Sequence, residues 1–73
     1  MNQREQIYDY MTDFGSITPM EAFADLGITK LATRVSEMRK EGVDIIGEWK
    51  STKNRYGKTV RYMRYRLGEQ NNG

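Results

Sequence analysis

Glycines at positions 15, 27 and 42 cut the first part of this chain into three segments of helix length. After the third, the hydrophobic period drops from about 3.6 residues to about 2. Helices followed by strands, rather than alternating with them, predict an α+β fold. In the first segment Asn2, with Glu5 three residues on, reads as a capping box, and Gly15 as a natural stop. Between them Ile7, Met11 and Phe14 form one apolar stripe. The second segment opens Thr18-Pro19-Met20-Glu21: a threonine cap, a proline at the first helical position, and a glutamate able to cap back. It ends at Gly27, with Phe23 and Leu26 expected to face inward. The third is expected to begin near Thr29 and end at Gly42, with Leu31, Val35 and Met38 on its buried face.

Beyond Gly42, VDIIGEWKST and KTVRYMRYRL are rich in β-branched and aromatic residues and flank the loop KNRYG, which predicts a hairpin. A five-residue loop places Trp49 opposite Met63, Ile45 opposite Leu67, Gly47 opposite Tyr65 and Glu48 opposite Arg64. Val43, Ile45, Trp49, Met63, Tyr65 and Leu67 then share one apolar face, and a slip of one residue would invert all of them. Residues 1–67 form one expected domain, and residues 68–73, GEQNNG, an expected disordered tail.

A chain of 73 residues is near the lower limit for a self-sufficient core. Such cores rarely supply more than about 3–5 kcal/mol without staples. With no cysteine and no histidine, neither a disulfide nor a thiolate or imidazole metal site is available, and no cofactor is expected. No apolar run approaches the roughly 20 residues that span a bilayer, and MNQREQIYDY lacks the apolar region of a signal peptide. These features predict a soluble intracellular protein with no membrane partner. Catalysis finds no support either. The acids lie along helix faces without paired-carboxylate spacing, and no glycine-rich phosphate loop occurs.

Charge is segregated along the chain. Residues 1–48 carry five bases against nine acids, a net of −4, whereas residues 49–68 carry seven bases and no acid. A basic patch on an acidic body is the footprint of a polyanion binder. The plainer alternative is a charged hairpin that keeps a small protein soluble.

Two helices joined by the turn Leu26-Gly27-Ile28-Thr29 make a helix-turn-helix unit, whose second helix enters the DNA major groove. A basic hairpin after it would be a wing. The stretch ITPMEAFADLGITKLATRVSEMRKEGVDI, followed by a strand ending RYRL, resembles small phage and prophage helix-turn-helix proteins of winged-helix fold. The resemblance covers roughly Ile17 to Leu67. It implies DNA binding in a transcriptional or recombination role, within the cytoplasm and nucleoid of a bacterial host. The apolar spacing after Gly27 departs from the commonest DNA-reading units, so base-contacting positions are not carried over from the resemblance.

Candidate contacts follow from the helical wheel and the register. Thr29, Thr33, Ser36 and Lys40 face outward on the third helix, with Lys30 and Glu37 beside them and Arg34 on the flank. Hydroxyls and amines there suit base edges or phosphates. Glu37 and Glu41 would repel phosphate and favour an ordinary solvated face. In the hairpin, Arg64 sits opposite Glu48, and Arg66 is diagonal to that pair and near Asp44, so both are expected to be paired internally, whereas Lys50, Lys53, Arg55, Lys58 and Arg61 have no acid in reach and are the phosphate candidates. Tyr56 at the tip could stack or bond to a sugar-phosphate, or simply pack in the loop. Trp49 and Tyr65 are expected in the core, and Tyr62 is exposed in this register. With no evident stacking platform, RNA is a weaker expectation than duplex DNA. One such module binds modestly, so a homodimer or a partner protein is expected. The rival reading is a phage protein-interaction module that docks its winged-helix surface on a host enzyme and modulates it.

Overall fold

A computed structural model describes residues 2–68. Three helices, α1 (Gln3–Phe14), α2 (Pro19–Leu26) and α3 (Leu31–Lys40), precede an antiparallel hairpin of β1 (Ile45–Lys53) and β2 (Thr59–Leu67). The fold is a winged helix-turn-helix of the α+β class. The caps form where the sequence places them. Asn2 accepts from the Glu5 N–H (2.8 Å), and Thr18 and Glu21 close a reciprocal capping box at 3.2 and 3.0 Å. Only the first half of a box exists at Asn2, since Glu5 does not cap back. Gly27 ends α2 at φ +69°, a left-handed conformation that turns the chain directly into the approach to α3. That helix starts at Leu31, two residues later than its expected beginning near Thr29, with Lys30 as its cap.

The hairpin has the register read from alternation: Ile45 opposes Leu67, Gly47 opposes Tyr65, Glu48 opposes Arg64 and Trp49 opposes Met63. The sequence did not reveal that β2 also pairs on its other edge. Ile17, in the link between α1 and α2, exchanges two backbone hydrogen bonds of 2.8 Å with Tyr65. This bridge ties the helical layer to the sheet and carries Ile17 into the core. The core comprises Ile7, Met11, Ile17, Ala22, Ile28, Leu31, Val35, Met38, Ile45 and Tyr65, so every element contributes to it.

Three residues expected inside are outside. Phe14 is 70 % exposed and lies against Tyr10, with ring centroids 4.7 Å apart. It sits in the last turn of α1, beyond the stripe that Ile7 and Met11 bury. Phe23 is 64 % exposed because α2 buries Ala22 in its place, and the small side chain brings the helix close to the core. Trp49 is 60 % exposed although its register is as expected. The hairpin runs past the helical body, so the apolar face continues outward where no helix covers it. The long axis of the molecule, 46 Å against 27 and 21 Å, reflects this projection. Gly68, assigned to the tail by sequence, is buried and donates its N–H to the Asp44 carbonyl (2.7 Å). The rest of the expected disordered tail, 69–73, lies outside the described residues.

Candidate nucleic-acid interface

The third helix turns its polar face to solvent. Thr29, Lys30, Thr33, Ser36 and Lys40 are all exposed, as the wheel places them. Arg34 is half-buried and committed within the molecule: its guanidinium donates to both oxygens of Glu37 (2.7 and 2.9 Å) and to Gln3 Oε1 (3.2 Å). Glu41 is held by Arg4 at 2.8 Å. The two acids that weigh against phosphate on this helix are thus each neutralised by an arginine, and Lys30 and Lys40 set the sign of the face.

Arg39 fixes how the helix meets the hairpin. Its Nε and Nη2 donate to the Ile45 carbonyl at 3.2 and 2.9 Å. Its guanidinium carbon lies 6.0 Å from the centre of the Tyr65 ring. Gly47 lies beneath this contact: a Cβ there would sit 2.9 Å from Met63 Sδ, so the cross-strand methionine would have to shift, and 3.6 Å from Arg39 Nη2, an ordinary contact. With α3 bolted to β1, the exposed helix face and the wing hold a set separation.

The wing divides its bases into two groups. Arg66 Nε donates to Glu48 Oε1 at 2.9 Å, the diagonal partner rather than the opposite one. Strand twist favours that diagonal. Arg64, expected against Glu48, instead donates to Ser16 Oγ at 2.8 Å, because the Ile17 bridge brings Ser16 alongside β2. Lys50 is a second correction. Its Nζ lies 3.9 Å from Glu48 Oε2, since residues two apart on a strand share a face. The Arg66 hydrogen bond, and after it the charge of Lys50, hold the Glu48 carboxyl below its ordinary range. Glu48 therefore remains a carboxylate at neutral pH and keeps both bases engaged. Among the described residues, Lys53, Arg55, Lys58 and Arg61 have no carboxylate partner.

The tip that carries Arg55, Tyr56 and Lys58 is shaped by one asparagine. Asn54 Oδ1 accepts from the N–H groups of Tyr56 (2.9 Å) and Lys58 (3.1 Å). The Asn54 N–H donates to the Lys58 carbonyl (2.9 Å), and Gly57 supplies the left-handed residue at φ +77°. Tyr56 is 86 % exposed and so does not pack in the loop. A tip ordered before binding loses less conformational freedom on contact with a ligand. Tyr62, expected exposed, is half-buried.

Sequence reading missed one group. Arg61, which is diagonal to Trp49 in the register, places its guanidinium carbon 4.9 Å from the centre of that ring. An exposed aromatic with a cation laid across it thus occupies the wing where a core residue was expected. The register could have located the pair, but nothing in the sequence marks where the helical cover ends.

Among the described residues there is no group of three His, Cys, Asp or Glu able to hold a metal, and no helix long and apolar enough to cross a membrane. A family model described as a winged helix-turn-helix domain matches residues 2–70, and the chain belongs to that family. No curated protein and no solved structure matches it.

Proposed function

We propose that this winged helix-turn-helix protein binds double-stranded DNA, with α3 in the major groove and the wing tip on the flanking backbone. The observation that carries this reading is the set of four cations without carboxylate partners, Lys53, Arg55, Lys58 and Arg61, on a wing whose other bases are engaged within the molecule. They sit at a fixed separation from a helix face whose acids are neutralised. Thr29, Lys30, Thr33, Ser36 and Lys40 are the groups for base edges and phosphates on the helix side. Lys50 and Arg34, engaged with Glu48 and Glu37, have supporting roles. The resemblance of Ile17–Leu67 to phage and prophage proteins supports a regulatory or recombination role in a bacterial cytoplasm. The modest contact area of one such module supports action as a dimer on paired half-sites. Fluorescence anisotropy with random duplex at low salt tests the reading. Binding that weakens steeply with salt supports it, and no binding at low salt rejects it.

A second reading, a module that contacts a host enzyme, is favoured by Phe14, Met20 and Phe23, which are 70, 79 and 64 % exposed on α1 and α2. Pull-down from nuclease-treated host lysate separates the two. A stoichiometric protein partner together with no duplex affinity would replace the DNA reading.

A further inference from the structure

Resting on the duplex-binding reading and extending it, we infer that the wing face carrying Trp49 and Arg61 is a stacking site for an unpaired base. The protein then prefers duplex DNA that adjoins a single strand over blunt duplex. The register places Trp49, Ser51 and Lys53 of β1 on one face with Thr59, Arg61 and Met63 of β2. That face combines an exposed indole, two cations and two hydroxyls, with no acid among these positions.

The indole is 60 % exposed in a chain with a single tryptophan and a small core. Burial would have favoured it strongly, since aromatic side chains carry the largest apolar areas. It is instead kept flat under the Arg61 guanidinium, 4.9 Å from the ring centre. This cation–π stack orders both groups and presents a planar surface. Inside a duplex every base face is covered by its neighbours, so away from duplex ends a planar platform on a protein surface finds its stacking partners among unpaired bases.

The surroundings fit the backbone of such a strand. Lys53 lies four residues outward from Trp49, about 13 Å along β1, where it can meet the phosphates that follow the stacked base. In the other direction Gly47, the preceding residue on this face, is where Arg39 of α3 comes down on the sheet. The platform therefore sits between the helix proposed to hold the duplex and the tip proposed to hold its backbone. A strand separating from that duplex would cross it.

Trp49 is also the reporter. The full-length chain is titrated with a short blunt duplex, the same duplex bearing an oligothymidine overhang, and the overhang sequence alone, following tryptophan emission and anisotropy. The overhang is expected to tighten binding about tenfold and to quench Trp49 strongly, whereas blunt duplex quenches it little. Trp49→Ala should remove the tenfold preference and leave blunt-duplex affinity unchanged, and Trp49→Phe should keep part of the preference. Because the ring is exposed, both variants are expected to fold, which circular dichroism checks. Equal affinity for blunt and overhang duplexes, or a preference that survives Trp49→Ala, overturns the stacking site while leaving duplex binding intact. If the overhang alone binds as tightly as the overhang duplex, stacking stands and the duplex reading fails. Binding to none of the three overturns both.

Discussion

Replacing Lys53, Arg55 and Lys58 together by glutamine should change the salt dependence of DNA binding by an amount that the structure fixes. Of the seven wing bases, Arg64 is bonded to Ser16, and Arg66 and Lys50 are held by Glu48, which leaves four able to displace counterions from phosphates. Each neutralised phosphate contributes about −0.9 to the slope of log K against log salt, so four contribute about −3.6. Raising salt from about 50 to about 200 mM then weakens wild-type binding roughly 150-fold through the wing alone. The triple variant retains Arg61, and its wing slope should fall to about −0.9, or roughly a 3- to 4-fold loss over the same range. The control is Arg66→Gln, which removes one positive charge as well but takes it from a base already paired. Its slope should stay within about 0.3 of wild type. Anisotropy titrations at several salt concentrations give all three slopes. An unchanged slope in the triple variant, or an equal fall per charge in Arg66→Gln, would refute the division of the wing into engaged and available bases.

Other predictions concern the frame that holds the interface. Tyr10 donates to the Asp25 carboxylate, which with lesser desolvation pushes its pKa up to about 12 from 10.0. Because the folded value is the higher one, the stability this bond contributes is complete below pH 10 and is lost as pH rises from 10 towards 12. Phenolate absorbance should show one tyrosine titrating late, and Asp25→Asn should return it to the ordinary range. Thr18→Ala opens the α2 capping box and should cost about 1 kcal/mol, lowering Tm by roughly 4–8 °C. Arg39→Ala leaves the Ile45 carbonyl without the guanidinium and should cost about 1–3 kcal/mol in denaturant unfolding. It should also weaken DNA binding more than its one charge explains, because helix and wing lose their set separation. A variant that loses affinity only in step with charge would remove Arg39 from its positioning role.

Much of this architecture was legible because local signals carried it. Threonine, proline and glutamate marked the start of α2, and the alternation of VDIIGEWKST against KTVRYMRYRL fixed a register that a slip of one residue would have inverted. What stayed hidden depends on which elements meet. The Ile17–Tyr65 bridge is a single residue pair with no period to announce it, yet it decides that Arg64 bonds to Ser16 and leaves Glu48 to Arg66. Periodicity assigned Trp49 to the correct face but could not tell how far along the hairpin the helices extend, so a core residue was expected where an exposed one stands. Phe23 failed for a related reason: a short helix close to the core buries the small Ala22 and turns the larger neighbour away. The pairing of Lys50 with Glu48 was readable from their two-residue spacing, a same-face relation that the search for opposite and diagonal partners passed over.

Duplex binding as proposed places one surface, made of the exposed face of α3 and the tip of the wing, against the DNA. An amide chemical-shift titration of the full chain with random duplex, at two salt concentrations, tests it most directly. Amides across Thr29–Lys40 and Lys53–Arg61 are expected to shift together with one common midpoint, which moves to higher DNA concentration as salt rises. Shifts confined to the surface around Phe14, Met20 and Phe23, or to the wing with α3 silent, would contradict it.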